Sequence, residues 1–247
     1  MNYTRVNPAF LFALDIETAA NTSAEEFLSR FSSAKVPSNI KDPEKIEAKK
    51  KELLSKGMSQ AALNWMTGKV VSWSLTSVAD VAAGKKKLTS HAMCGFDEKV
   101  LLQGLMDCIH ENDVVLMVGK NSDTFDVPFI KGRCIANDIG MSDLFHSSYN
   151  FFDIDKMICP SMAGQKQHGK LDEYAFACGY EGKSNAGSYV PKAYIEAMAA
   201  QIAGDTAKVR EIMVGIKEYN IKDTEITARL AWGFLKPWTK GGDNAKK

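Results

Sequence analysis

Apolar positions run along the chain in two rhythms, and the switches between them mark the elements. Residues 9–15, AFLFALD, are an apolar run that ends in a carboxylate. That is the pattern of a buried central strand whose last residues emerge at a sheet edge. Alternating positions at Val70–Val78 predict a second strand, and a turn containing Gly84 leads to a third at Leu88–Met93. Phe96–His110 places Val100, Leu101, Leu105 and Ile109 on one helical face. Asp113–Val118 reads as a short strand, Phe125–Asn137 as a helix with Pro128 in its first turn, and 150–158 as a strand. Leu171–Cys178 and much of 190–234 read as helix. Residues 20–68 break the strand rhythm. Within them, Asp42-Pro43-Glu44 starts a helix, with Asp as N-cap and Pro at the first helical position. Ile46, Leu53 and Leu54 follow on one face, and Gly57 reads as the stop. The order predicts an α/β fold with one mixed sheet. Residues 1–238 form one domain with a helical insertion at about 20–68, and 239–247 read as a flexible tail.

Composition narrows the classes. The 247 residues carry 31 Lys and Arg against 30 Asp and Glu, a formal charge of +1. Such a balance excludes a histone-like basic binder and an acidic disordered chain, while leaving room for a nucleic-acid enzyme with a local basic track. The longest apolar runs, Ala9–Leu14 and Val114–Val118, fall far short of the ~20 residues of a membrane span. The first residues lack a basic stretch followed by a long apolar one, so no secretory signal is expected. Cys94, Cys108, Cys134, Cys159 and Cys178 are odd in number with no CxxC pair. They read as reduced thiols of a cytoplasmic protein, without a zinc framework.

Three constellations carry chemistry. In Asp15-Ile16-Glu17-Thr18, two carboxylates at i and i+2 of a strand point to one side, as oxygen ligands for a hard divalent cation. Other pairs of this spacing (Asp42/Glu44, Glu111/Asp113, Asp153/Asp155 and Asp223/Glu225) read singly as solvated surface. Asp15 and Glu17 stand apart because they follow a strand too apolar to be surface. The second constellation runs from Gly119 through Asn121, Phe125 and Asp126 to Phe129, after an apolar strand and into a helix. Asp126 there is an anion at a favourable helix start or a plain first-turn carboxylate, and Asn121 a contact or a turn residue. The third is Tyr219-Asn-Ile-Lys-Asp223, where i and i+4 of a helix bring a phenol and a carboxylate onto one face. Tyr149 and Asp153 share that spacing, but in a segment read as strand, where i and i+4 lie ~13 Å apart.

In this order the three motifs resemble the DEDD superfamily of 3′–5′ exonucleases, in the subgroup with tyrosine in the third motif (DEDDy). DIET, the FDVPF segment and YNIKD are most similar to the proofreading exonuclease domain of family B DNA polymerases. Residues 170–183, KLDEYAFACGYEGK, are similar to a helix and turn of that family. The histidine subgroup carries His-X4-Asp, which no histidine here satisfies. The resemblance implies a ribonuclease-H-like fold, a mixed five-stranded sheet flanked by helices, in a stand-alone exonuclease too short for polymerase fingers or palm.

It further implies two divalent ions, Mg²⁺ or Mn²⁺, that hydrolyse phosphodiesters at single-stranded DNA 3′ ends. In that scheme Asp15 bridges both ions, Glu17 and Asp223 help to hold the one that activates water, and Asp126 supports the second. Tyr219 orients the attacking water, since a phenol with a reference pKa of ~10 is a poor base at pH 7. Asn121 and Phe125 flank the terminal nucleotide, Thr18 contacts the 3′ end through its backbone, and Lys183 meets a phosphate. Phe125 reads equally as a stacking ring or a core residue. The run Lys45, Lys49, Lys50, Lys51 and Lys56 reads as a phosphate track or a solvated face. Two alternatives remain open: a 3′–5′ exoribonuclease on the same fold, and a non-catalytic nucleic-acid-binding or polymerase-associated module.

Overall fold

The apolar run that opens the chain becomes β1 (Leu11–Ala20), the middle strand of a five-stranded sheet. β2 (Gly68–Ser77) pairs antiparallel with it, and β3 (Ser90–Cys94) antiparallel with β2. On the other side, β4 (Leu116–Gly119) and β5 (Phe151–Asp153) continue the sheet in parallel, giving the order β3-β2-β1-β4-β5. The computed structural model describes residues 6–31, 36–147, 150–158, 169–182 and 189–239. Lys183 and all but the first residue of the expected tail lie outside them.

Both faces of the sheet are covered. Alternation along β1 sends Phe12, Leu14 and Ile16 to one face, with Trp73 and Leu75 of β2, against α4 (Glu98–Glu111) and α5 (Asp126–Ala136). Leu11 and Ala13 point the other way, against α7 (Leu171–Ala177) and the later turns of α9 (Thr206–Thr239). Farther along that face, Ala19 and Val71 meet α8 (Tyr189–Ile202) and the earlier turns of α9. Asp15 and Glu17 occupy the stretch between these two apolar clusters. Between α4 and α5, the Arg133 guanidinium grips the buried Glu98 carboxylate, with Nη2 to Oε2 at 2.6 Å and Nε to Oε1 at 3.0 Å. Glu98 also accepts the Val70 N–H at 2.7 Å and the Asn137 amide at 2.9 Å, so its buried charge is fully engaged.

Several sequence expectations shift. β1 does not stop at Asp15 but continues to Ala20, because the ten-residue β2 pairs with it throughout. Asp15 and Glu17 therefore sit inside the strand and not at its end. A register shift at Glu17/Thr18 leaves Val71 as the extra residue on β2, a bulge beside the carboxylates. The segment expected as a strand over 150–158 pairs only at Phe151–Asp153, then turns into α6 (Ile154–Ile158). Asp153 causes the change by accepting the Asp155 N–H at 2.9 Å, which closes a turn. The helical stretch read over much of 190–234 is made of two helices, α8 and α9, separated at Gly204 with φ +74°. The segment between β1 and β2 carries α1 (Ala24–Phe31) and α2 (Pro43–Gln60), and the short α3 (Val78–Ala82) follows β2. The Asp42 carboxylate does accept the Glu44 N–H at 2.9 Å, but α2 runs through Gly57 instead of stopping there. A Cβ at Gly57 would lie 3.2 Å from Leu28, so the glycine serves the close approach of α1. Among the described residues, no helix is long and apolar enough to cross a membrane.

Candidate metal centre

The site forms where β1 outruns its parallel neighbour. β4 pairs with β1 only over Leu11–Ala13, so the backbone beyond lacks a strand on that side. Asp126, the first residue of α5, fills the gap: its Oδ1 accepts the Ile16 N–H at 3.0 Å. Asp126 is 4% exposed. Burial pushes its carboxyl up to about 7, the charge of Asp153 adding to the effect and the hydrogen bonds from Ile16 and its own N–H opposing it. In the absence of metal, Asp126 is thus partly protonated near neutrality.

Asp15 and Glu17 share the opposite edge of alternation from Ile16 and look toward α9. There they meet Asp223, and one carboxylate oxygen from each residue lies within 4.8 Å of the others. Asp15 and Glu17 are half-buried and Asp223 is buried. The donor set is oxygen only, without histidine or cysteine, which is what Mg²⁺ or Mn²⁺ takes in preference to zinc or copper. Asp126 is tied to the same strand between two of these residues but is not one of the three whose oxygens group this closely. Tyr219 lies one helical turn before Asp223, 4% exposed, its ring 5.6 Å from that of Tyr189. The helical reading of Tyr219 and Asp223 therefore holds: α9 brings the Asp223 carboxylate to those of Asp15 and Glu17, and packs Tyr219 in the cluster with Ala19 and Val71.

The loop from Gly119 to Phe125 is folded tightly. A Cβ on Gly119 would come 2.5 Å from that of Ser122 and 3.2 Å from the Leu14 carbonyl, so only glycine fits at the end of β4. Asn121 is exposed in the left-handed region at φ +59°, and its amide oxygen accepts the Thr124 hydroxyl at 2.7 Å. Phe125 is half-buried, edging the core with its ring 5.5 Å from Phe129. The Thr18 side chain is buried, and its hydroxyl donates to the Ala62 carbonyl at 2.6 Å, anchoring the end of the 20–68 segment. In α2, Lys49 pairs with Glu52 and Lys50 with Glu47, while Lys45 and Lys51 are exposed.

Two groups of residues lay outside the sequence reading of the site. Asp153 and Asp155, expected in solvent, are 5% and 8% exposed. Asp153 accepts the Asn121 N–H at 3.1 Å, while Asp155 takes the Tyr174 hydroxyl at 2.8 Å and the Lys120 ammonium at 3.1 Å. Burial, then that hydrogen bond, push the Tyr174 phenol up to about 12. The pair at a strand end was a visible signal, but it has the same spacing as exposed pairs. Asn220 is the other omission. It is fully buried, and its Nδ2 donates to Asp15 Oδ2 at 2.6 Å. Its place inside Tyr-X3-Asp was the only hint.

The comparisons with known proteins bear on this geometry through the fold. The chain has the fold of a DNA polymerase segment. It is similar to the structure of the family B DNA polymerase from the hyperthermophilic archaeon Pyrobaculum calidifontis, with a TM-score of 0.53 and 16% sequence identity. The match covers 92% of this chain and 24% of the polymerase, so the chain spans about a quarter of that protein. No protein-family model matches the chain, and no curated protein matches it. At this identity the likeness establishes the fold: α/β and ribonuclease-H-like, a mixed five-stranded sheet flanked by helices.

Proposed function

We propose that this chain is a metal-dependent 3′–5′ exonuclease of the DEDDy type that releases nucleotides from single-stranded DNA ends. The observation that carries the reading is the convergence of Asp15, Glu17 and Asp223, from opposite ends of the chain, within 4.8 Å. It gains weight from the polymerase-like fold on which it occurs.

Asp15, Glu17 and Asp223 hold the cations through their grouped oxygens, and Asp126 supports them from the start of α5. Divalent ions in such a site generate a nucleophile at neutral pH and offset the charge developing on the phosphoryl oxygens. Tyr219 donates its phenolic hydrogen bond to position the attacking water. Asn121 and Phe125, on the loop pinned by Asp153, flank the 3′-terminal nucleotide, with the half-buried Phe125 ring stacking on the base.

The test uses 5′-labelled DNA and RNA oligonucleotides with the full chain in Mn²⁺ or EDTA. The expected result is a ladder that shortens from the 3′ end of DNA in Mn²⁺ alone, and its loss in Asp15→Ala/Glu17→Ala with the fold retained by circular dichroism. A wild-type chain inert in Mn²⁺ refutes the activity. A ladder that survives the double substitution refutes the site, and digestion of RNA in place of DNA refutes the substrate.

A further inference from the structure

The face of β2 beneath α9 is polar where a core face is usually apolar. Ser72, Ser74 and Thr76 are all fully buried there, as are Asn220 and Thr224 on the helix. Their hydroxyls form a seam: Ser74 Oγ donates to the Asn220 carbonyl at 3.0 Å and lies 2.7 Å from Thr224 Oγ1, which in turn lies 2.8 Å from Thr76 Oγ1. Buried polar groups are stabilising only when paired in register, so the seam sets where α9 sits along β2. One member also reaches the carboxylates. The Asn220 amide accepts Ser72 Oγ at 3.2 Å on its oxygen and donates from Nδ2 to Asp15 Oδ2 at 2.6 Å. Asp15 as a carboxylate offers only acceptors, and this fixes which way the amide faces.

We propose that Asn220 is a positioning residue that holds the Asp15 carboxylate in its metal-binding rotation, distinct from the rest of the seam, which only seats the helix. The inference rests on the exonuclease reading and adds to it a residue outside the four-carboxylate-and-tyrosine set. The physical reason is entropic and geometric. An Asp side chain on a half-exposed strand position samples several orientations, whereas a short hydrogen bond from a fully buried amide selects one before any cation arrives. Partners that orient metal ligands in this way typically contribute ~10–100-fold to metal affinity or activity.

Asn220→Leu keeps volume and removes the amide, while the helix carbonyl still accepts from Ser74 and Ser72 still reaches the Met93 carbonyl. Thr224→Val breaks the seam without touching Asp15. Both variants and wild type are melted in EDTA and across a Mn²⁺ titration, and oligonucleotide digestion is followed as kcat and KM. Wild type that neither responds to Mn²⁺ nor digests ends fails the exonuclease reading itself, and the positioning claim falls with it. With wild type active, Asn220→Leu is expected to need ~10–100-fold more Mn²⁺ for its half-maximal thermal shift. Its kcat should fall by a similar factor with KM little changed. Thr224→Val should melt lower in EDTA with its Mn²⁺ midpoint intact. If Asn220→Leu does not fold, Asn220→Ala, which removes the amide without adding bulk or charge beside Asp15, takes its place with the same kcat expectation. Wild-type kcat and Mn²⁺ midpoint in the folded Asn220 variant, or the same metal defect in Thr224→Val, overturns the proposal.

Discussion

Removing one carboxylate from the cluster should strengthen the metal-free protein and weaken the metal-bound one. Asp223→Asn is the sharpest form, because it conserves shape and turns a third negative charge into a donor for its neighbours. At 4.8 Å, two unit charges repel by about 0.9 kcal/mol in water and about 3.5 kcal/mol at an effective dielectric of ~20. Asp15 and Glu17 are half-buried, so a value of about 1–2 kcal/mol per pair is reasonable. Asp223 takes part in two such pairs, and relieving even ~2 kcal/mol raises the melting temperature by roughly 4–8 °C for a domain of this size. The opposite sign applies with metal. A cation present at ~100 times its Kd stabilises the native state by about 2.7 kcal/mol, and the variant forfeits much of that. Melts by differential scanning fluorimetry, in EDTA and in millimolar Mn²⁺, should therefore cross: the variant melts higher than wild type without metal and lower with it. A variant that melts lower in EDTA, or that keeps the full Mn²⁺ shift, would show that the three oxygens do not form a mutually repelling cation site.

The buried Asp126 has a folded-state value near 7 against an ordinary 3.8, so the native state holds a proton that the unfolded chain releases between those pH values. That contribution is complete below pH ~4 and lost as pH rises through ~7. Urea midpoints of the metal-free protein should fall across that window, and Asp126→Asn should flatten the fall; an unchanged slope contradicts the assignment. In the last turn of α5, Arg133→Ala strands the buried Glu98 charge that it grips in three contacts. It should cost about 3–5 kcal/mol in urea unfolding, and a loss below ~1 kcal/mol would show the pair to be solvated.

Local periodicity was enough to read the mixed α/β order, because a strand's alternation and a helix's i, i+4 face are written into neighbouring residues. Asp15 and Glu17 on one side of β1, and Tyr219 with Asp223 on one helix, follow from that short-range geometry alone. The length of β1 does not, since it depends on how far β2 accompanies it and where β4 leaves it. Gly57 illustrates the same limit: a glycine stops an isolated helix, yet here it is the contact surface for Leu28, and packing of α1 outweighs its weak helix propensity. Phe151–Ile158 is apolar enough for either state, and the Asp153 carboxylate capping its own turn decided for a helix after three strand residues.

What the chain by itself determined was the set of chemical groups and their local faces; what the tertiary structure decided was which of those groups meet. Asp153 looks no different in sequence from an exposed acid, and Asn220 no different from any helix amide. Each acquires its place through long-range contacts, to Asn121 and Asp15 respectively. Such contacts depend on the packing of α9 against the sheet and the pairing of β5 with β4, and no spacing between adjacent residues encodes them.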